Sequence, residues 1–314
     1  STVSGTTTSG FNNVTVSDAL TAHSGTMSIA GVFANNGTFS HNSGTVLFNG
    51  NSTISGTSTS GFSGITISGT LTAPTGRVNV AGNFINNGTF THNSGTVVFN
   101  GSSAISGAGA TIFNGITISG ALTAPTGTLN VAGNFANNGT FTHNSGAVVF
   151  SGNTTVSGSA QSAFNNIAIS GTLTAHSDTM TVEGSLANNG TFNHNSGTIL
   201  FDGAAASIIS NSTSFYRFTC TRPGKNLTFD CTATQTVAIL TLTGNSVSRI
   251  VLRSTVDNTR WGLNVLTSAG VSYVDVKDSN AQPGITIMAS ASTNSLNNTN
   301  WMFSSSYYHV GAGG

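Results

Sequence analysis

Charge is scarce in this chain of 314 residues. Eight Lys and Arg side chains are balanced by eight Asp and Glu, and the formal net charge is zero. This balance excludes the clustered basic surface that nucleic-acid binding requires, so we expect no nucleic-acid partner. It also removes the self-repulsion that keeps concentrated monomers apart. Such a surface suits a protein that packs against copies of itself.

Proline and long apolar runs are also scarce. The chain has 4 prolines beside 39 glycines. No apolar run approaches the ~20 residues that a membrane-spanning helix needs, so we expect no membrane span. The chain does not have a disordered composition, because 37% of its residues are hydrophobic and 19 are phenylalanine.

Only two cysteines occur, Cys220 and Cys231, in the segment "FTCTRPGKNLTFDC". Strand-like runs flank "TRPGKN", and a hairpin there would bring the two thiols face to face. A disulfide would then add ~2–3 kcal/mol and would suit an oxidising compartment. A pair of small buried thiols is the alternative. The chain starts at Ser1 without an initiator Met or a signal peptide, which indicates a processed form or an excised fragment.

What the sequence does contain is a repeat. "NNGTFSHNSG" begins at Asn35, and near copies begin at Asn86, Asn137 and Asn188, each 51 residues after the last. The repeats are residues 1–51, 52–102, 103–153 and 154–204, with no insertion or deletion. Residues 205–314 start in the same phase and then diverge. A fixed period of this length is typical of solenoids.

Within each repeat the apolar residues alternate with polar ones, as in "VTVS" and "ITIS", which is the period of a β-strand. Gly and Asn turn signals separate these short runs. We therefore predict an all-β fold, a parallel β-solenoid with about six short strands and about two coils per repeat. Three smaller coils per repeat are possible. A β-sandwich array is disfavoured, because sandwich domains of ~100 residues would not show so short a period.

Matching apolar residues of successive repeats are expected to stack as ladders in the solenoid core. Two such ladders are Phe39, Phe90, Phe141 and Phe192, and Phe48, Phe99, Phe150 and Phe201.

The histidine that recurs in each repeat could suggest a row of metal sites. If two coils separated the copies, the rings of His41 and His92 would lie ~9–10 Å apart. Two imidazoles that share a zinc ion must each approach it to ~2.0–2.1 Å, so the ladder cannot form such a site. We expect these histidines to hydrogen-bond a neighbouring turn, and we expect no metal and no cofactor.

The chain offers no arrangement of catalytic residues. In residues 1–204 the charged groups do not fall at matching repeat positions, and Arg77 is the only Lys or Arg. No phosphate loop, HExxH or CxxC motif occurs. We therefore expect no enzymatic activity. A column of outward threonines would be the basis of an ice-binding alternative, although threonine is also what exposed strands prefer. That column is Thr38, Thr89, Thr140 and Thr191.

Composition shifts near residue 205, because seven of the eight basic residues lie beyond position 216. Strand-like runs continue, so we interpret residues 205–314 as a less regular continuation of the solenoid or a cap. A compact β-domain is the alternative. Residues 304–314, "SSSYYHVGAGG", form a candidate assembly tail. The candidate assembly residues are Ser1, Thr2 and Val3 on the bare first coil, and Tyr307, Tyr308 and Val310 in the tail.

Two segments, "GNFINNGTFTHNSGTVVFNGSSAISG" and "FNGITISGALTA", resemble the β-strand-repeat regions of large bacterial surface and secreted proteins. "FTCTRPGKNLTF" and "NNTNWMF" resemble the segment that often follows those repeats. The resemblance covers most of the chain. It implies an extracellular or cell-surface, non-catalytic, filamentous-adhesin-like solenoid, and it carries over no catalytic residues.

Two functional hypotheses follow. In the first, the chain is a secreted structural subunit whose only partner is itself, and it polymerises head to tail into a fibre. Deleting the tail should then abolish polymerisation. In the second, the chain is an adhesin stalk that displays a surface for cell-surface glycans or proteins. That hypothesis predicts a monomer with an exposed aromatic patch near Trp261 or Trp301.

Overall fold

The computed structural model describes residues 1–304. Every regular element in this range is a β-strand. The strands are mostly three to five residues long, and their side chains alternate between the core and the surface, as in Val14–Val16 and Thr38–Ser40. The all-β prediction is confirmed.

The chain divides into two compact units. The first contains Ser1–Ala163 and Ser170–Leu173, and the second contains Phe164–Ile169 and the described residues from Thr174 onward.

The strands that begin in the first three repeats are β1 (Thr8–Phe11), β2 (Val14–Val16), β3 (Ala19–Thr21), β4 (Thr26–Ile29), β5 (Val32–Asn35), β6 (Thr38–Ser40), β7 (Thr45–Phe48), β8 (Asn51–Ser55), β9 (Ser60–Phe62), β10 (Gly64–Ile67), β11 (Thr70–Thr72), β12 (Arg77–Val80), β13 (Phe84–Asn86), β14 (Thr89–Thr91), β15 (Thr96–Phe99), β16 (Ser102–Ser106), β17 (Ile112–Phe113), β18 (Gly115–Ile118), β19 (Ala121–Thr123), β20 (Thr128–Val131), β21 (Phe135–Asn137), β22 (Thr140–Thr142), β23 (Ala147–Phe150) and β24 (Asn153–Ser157).

The remaining strands are β25 (Ser162–Phe164), β26 (Asn166–Ile169), β27 (Thr172–Thr174), β28 (Thr179–Val182), β29 (Leu186–Asn188), β30 (Thr191–Asn193), β31 (Thr198–Phe201), β32 (Ser207–Ser210), β33 (Thr213–Cys220), β34 (Asn226–Phe229), β35 (Thr234–Thr243), β36 (Ile250–Ser254), β37 (Trp261–Ser272), β38 (Val274–Val276), β39 (Ser279–Asn280), β40 (Ile287–Ser290), β41 (Thr293–Asn294) and β42 (Trp301–Ser304).

In the first unit every third strand pairs in parallel, which makes each coil three-stranded. One sheet runs β1-β4-β7-β10-β13-β16-β19-β22, and a second runs β14-β11-β8-β5-β2. The third side is formed by β3-β6 and by the sheet that contains β9, β12, β15, β18 and β21. The predicted parallel β-solenoid is confirmed.

The number of coils in a repeat differs from the expectation of about two. Paired residues in adjacent coils, such as Val14 with Phe33 and Leu71 with Phe90, lie about 19 positions apart. The 51-residue repeat contains eight strands, from β1 to β8 and from β9 to β16. Because three strands complete a coil, one repeat spans two and two-thirds coils. Equivalent strands of successive repeats therefore lie in different sheets, as β1, β9 and β17 do.

Because equivalent strands of successive repeats lie on different sides, the residues that stack in the core differ from those predicted. Phe90 pairs with Leu71, and Phe141 pairs with Leu122, so neither stacks on the matching Phe of another repeat. Phe48 likewise lies between Ile29 and Ile67. All eight phenylalanines named for the ladders are buried, with at most 9% of each residue exposed. They belong to the core, but the ladders contain unlike apolar residues.

Two phenylalanines of one repeat instead cluster with a phenylalanine of the next repeat. The ring centroid of Phe33 lies 4.9 Å from that of Phe39 and 5.5 Å from that of Phe62. The same cluster returns one repeat later, where Phe84 lies 5.1 Å from Phe90 and 5.3 Å from Phe113. Edge-on and tilted contacts at these distances add stability beyond apolar burial. Each pair of consecutive repeats therefore shares a packed aromatic cluster, and successive clusters lie on different sides of the solenoid.

The second unit is also a parallel solenoid, with longer and less regular strands. β33, β35 and β37 have 8, 10 and 12 residues and pair side by side. The start of β37 pairs with β39 and its end pairs with β40, so this strand covers two sides of a coil. The expected irregular continuation of the solenoid over the C-terminal part is confirmed.

Candidate functional site

The first asparagine of each Asn-Asn-Gly turn is a buried structural residue. Asn86 is fully buried at the end of β13. Its side-chain oxygen accepts a hydrogen bond from the Gly88 amide at 3.1 Å. Its amide nitrogen donates to the Ala110 carbonyl at 3.1 Å and to Thr111 Oγ1 at 2.9 Å in the next coil. Asn137 and Asn188 make the equivalent three contacts, and Asn35 makes those to the glycine amide and to the carbonyl of the next coil. These side chains join neighbouring coils at their corners.

The second asparagine of the turn is exposed and makes a simpler contact. Asn87 Oδ1 accepts a hydrogen bond from the Ala108 amide at 3.2 Å, and Asn36 accepts one from Thr57 at 3.1 Å. The loop that supplies these amides contains Gly107, which has a φ of 110°. A Cβ at Gly107 would lie 2.1 Å from the Asn86 carbonyl oxygen, so the corner requires glycine there.

The repeated histidine is part of a turn. The Nδ1 atom of His92 accepts a hydrogen bond from the Ser94 amide at 3.0 Å. Asn93 and Ser94 both have positive φ, at 44° and 61°, and the Gly95 amide donates to the His92 carbonyl at 2.8 Å. His41 and His194 make the same bond. The imidazole therefore stabilises its own left-handed turn, as Asx side chains do.

The two cysteines are free thiols in the structure. The expected hairpin is absent, because β33 and β34 belong to different sheets and each pairs in parallel with other strands. "TRPGKN" is a corner between two sides of a coil. Cys220 is buried, and burial raises the pKa of its thiol to about 11. Cys231 is half-buried.

Lys225 lies buried at the same corner. Its ammonium group donates to the Glu183 carbonyl at 3.0 Å and to the Ala205 carbonyl at 2.6 Å. Burial lowers the pKa of Lys225. The side chain thereby links three successive coils of the second unit.

The first coil presents apolar side chains that later repeats bury. Val3, Phe11 and Leu20 are half-buried. Their counterparts 51 residues later, Ile54, Phe62 and Leu71, are at most 3% exposed.

The backbone of the first coil is also open on one side. The Val3 amide donates to the Thr21 carbonyl at 2.9 Å, and the Ser1 carbonyl accepts from the Thr21 amide at 3.0 Å. Because backbone groups alternate along a strand, the N–H and C=O of Thr2 point away from β3. Of the six assembly candidates, Ser1, Thr2 and Val3 therefore lie in this outer segment, where Thr2 forms an isolated parallel bridge with Thr21. Tyr307, Tyr308 and Val310 lie outside the described residues.

The last described coil is open in a similar way. β42 is the outermost strand of its sheet and pairs with β40 on one side. Trp301 and Phe303 are half-buried and stack at a centroid distance of 5.9 Å, whereas their register partners Ile287 and Ala289 are buried. The Asn300 and Ser304 carbonyls accept bonds from β40 and its flank, so the backbone groups of Trp301 and Phe303 point outward.

The outward threonines do not form one column. Thr38, Thr89 and Thr140 belong to β6, β14 and β22, which lie in three different sheets. Thr70 and Thr89 are neighbours across β11 and β14, and Thr72 and Thr91 extend the pair. Successive repeats thus carry their outward threonines on different sides, so the four do not form a continuous column.

Among residues 1–304, no cluster of three or more His, Cys, Asp or Glu side chains has the arrangement of a metal site. The same range contains no helix with the length and apolarity to cross a membrane. No known protein family, curated protein or solved structure matches the chain.

Proposed function

We propose that this chain is a non-enzymatic structural protein whose copies join head to tail into an extracellular filament. The observation that carries the proposal is the pair of open terminal coils. Val3, Phe11 and Leu20 at one end and Trp301 and Phe303 at the other are core residues that lack a covering coil among the described residues. Contact between two copies would bury both sets from water.

The strand directions favour joining unlike ends. The strands of the solenoid pair in parallel, so the β42 edge of one copy and the first coil of another can continue the same winding. Outward N–H and C=O groups at each edge would then pair between copies. A head-to-tail contact uses two different surfaces and does not close, which generates a filament.

The neutral surface supports the same proposal. Eight basic and eight acidic residues over 314 positions leave little repulsion between copies. The coupling between copies would rest on apolar burial and backbone hydrogen bonds, and we expect it to depend little on ionic strength. The extracellular location is part of the proposal and rests on the resemblance to bacterial surface repeats.

An adhesin is the alternative proposal, and the structure weakens one of its supports. Trp261 is fully buried and stacks on Phe229 at a centroid distance of 4.0 Å, so it cannot contact a partner. Trp301 is half-buried at the open coil, where the end-to-end contact is proposed.

The test uses the backbone of Thr2. Thr2→Pro removes the outward N–H of Thr2 without breaking the bonds of Ser1 and Val3 to Thr21. Thr2→Val changes the side chain but keeps the N–H, and it is the matched control. By negative-stain electron microscopy, we expect filaments from the wild type and Thr2→Val and few or none from Thr2→Pro. Isolated particles in the wild type would refute the proposal.

A further inference from the structure

Two of the four methionines lie exposed beside each other on the last strands of the second unit. Met288 on β40 and Met302 on β42 are each 54% exposed, whereas Met27 and Met180 are at most 1% exposed. Met288 and Met302 are register partners in the parallel pair of β40 and β42. Their backbones are therefore separated by about 4.8 Å, the spacing of adjacent strands.

The strands around this pair are uncharged. Neither strand contains a charged residue, and the adjoining β37 contains none either. A thioether on such a surface contributes flexible apolar contact. It is also the side chain that peroxides oxidise most readily after thiols.

We propose that Met288 and Met302 form a peroxide-oxidised modification site that weakens the end-to-end contact. This inference rests on the proposed head-to-tail assembly, since it places Met302 on the strand that borders the next copy. In the assembly, the outward side chain of Met302 would lie beside an outward side chain of the neighbouring first coil, as cross-strand neighbours do.

The chemistry is a two-electron oxygen transfer from a peroxide. The thioether sulfur attacks one peroxide oxygen, the O–O bond breaks, and an S=O bond forms. Methionine becomes methionine sulfoxide and hydrogen peroxide is reduced to water. No other reactant is needed.

Oxidation changes the contact because a sulfoxide is strongly polar. The neighbouring outward side chain then meets a hydrated polar group in place of an apolar one, which removes a favourable cross-strand contact. We expect the critical concentration for assembly to rise roughly two- to fivefold, the size of one such lost contact.

The experiment treats the monomeric wild type with hydrogen peroxide and locates sulfoxides by peptide mass spectrometry. We expect Met288 and Met302 to be oxidised while Met27 and Met180 are not. Assembly of the treated and untreated protein is then compared by sedimentation. The double variant Met288→Leu and Met302→Leu keeps apolar side chains and both cysteines, and it should assemble equally well with and without peroxide.

The outcomes separate this inference from the proposed function. Untreated wild type that forms no filaments refutes both. Filaments that form equally well after oxidation of Met288 and Met302 overturn the methionine site alone. A double Leu variant as sensitive to peroxide as the wild type also overturns the methionine site, because another group, such as Cys231, would then be responsible.

Discussion

Alanine substitutions at two adjacent asparagines should lower the stability by different amounts, because Asn86 joins two coils and Asn87 is exposed. Asn86→Ala deletes a buried side chain that makes three hydrogen bonds, two of them to the following coil. Asn87→Ala deletes an exposed neighbour that makes one, to the Ala108 amide. The two variants change the same residue type by the same number of atoms, so each controls for the other.

The expected magnitudes follow from these contacts. Each bond contributes about 0.5–1.5 kcal/mol, and a buried group left without a partner costs about 1–3 kcal/mol. Asn86→Ala should therefore lower the free energy of unfolding by about 2–4 kcal/mol. Asn87→Ala should lower it by less than about 1 kcal/mol, because water can replace its contact.

The assay is urea unfolding followed by circular dichroism in the strand region, with midpoints compared at equal m-value. Local unfolding around the mutated corner would also appear as faster amide exchange in the coils that contain β13 and β16. Equal destabilisation by the two variants would contradict the corner role of Asn86. So would a larger effect of Asn87→Ala.

Two further predictions concern the turn histidine and the buried thiol. His92→Ala should destabilise the protein by about 0.5–1 kcal/mol because the Ser94 amide loses its acceptor, whereas His92→Asn should retain most of the stability through an Asx turn; equal urea midpoints for the two variants would argue against the turn role. The pKa of Cys220 is raised from 9.0 to about 11. The stability that its buried neutral thiol contributes is therefore present below pH 9 and is lost as the pH rises to about 11. Relative to Cys220→Ala, the wild type should lose about 2–3 kcal/mol of unfolding free energy over that range. The lowered pKa of Lys225 acts in the opposite direction, which is why the difference between the two proteins is measured, and a difference independent of pH would contradict the assigned shift.

Much of the fold could be predicted because the sequence repeats and alternates. The period-two pattern of "ITIS" and the Gly and Asn turns identify short strands, and the fixed period identifies stacking. The number of coils in one repeat could not be predicted in the same way. Strands such as Thr38–Ser40 and Ala19–Thr21 are only three residues long, so a pattern of alternation cannot separate them from turns.

The predicted stacking of equivalent phenylalanines was wrong because the number of coils per repeat was wrong. A repeat of 51 residues is not a whole number of coils of about 19 residues, so equivalent residues move to the next side. Sequence similarity between Phe39 and Phe90 reports equivalent environments, and it does not report contact. The structure shows the change of side, because Phe90 lies beside Leu71 and not beside Phe39.

The buried asparagine could have been found from the sequence. Phe84 and Asn86 are two positions apart on one strand, so a strand that buries Phe84 also turns Asn86 inward. The Asn-Gly turn signal directly after the strand obscured that alternation.

The prediction of a hairpin between the two cysteines was wrong for a different reason. Two strands joined by a short connection are antiparallel neighbours in a hairpin, but in a solenoid they occupy adjacent sides of one coil.

The most direct test of the central claim is X-ray diffraction from aligned filaments of the wild-type chain. If each copy continues the winding of the one before it, the strands lie across the fibre and stack along it. We then expect a reflection at about 4.7–4.8 Å on the meridian. A chain that forms no fibres under conditions where it is folded, or fibres whose strand-spacing reflection lies on the equator, would contradict end-to-end continuation of the solenoid.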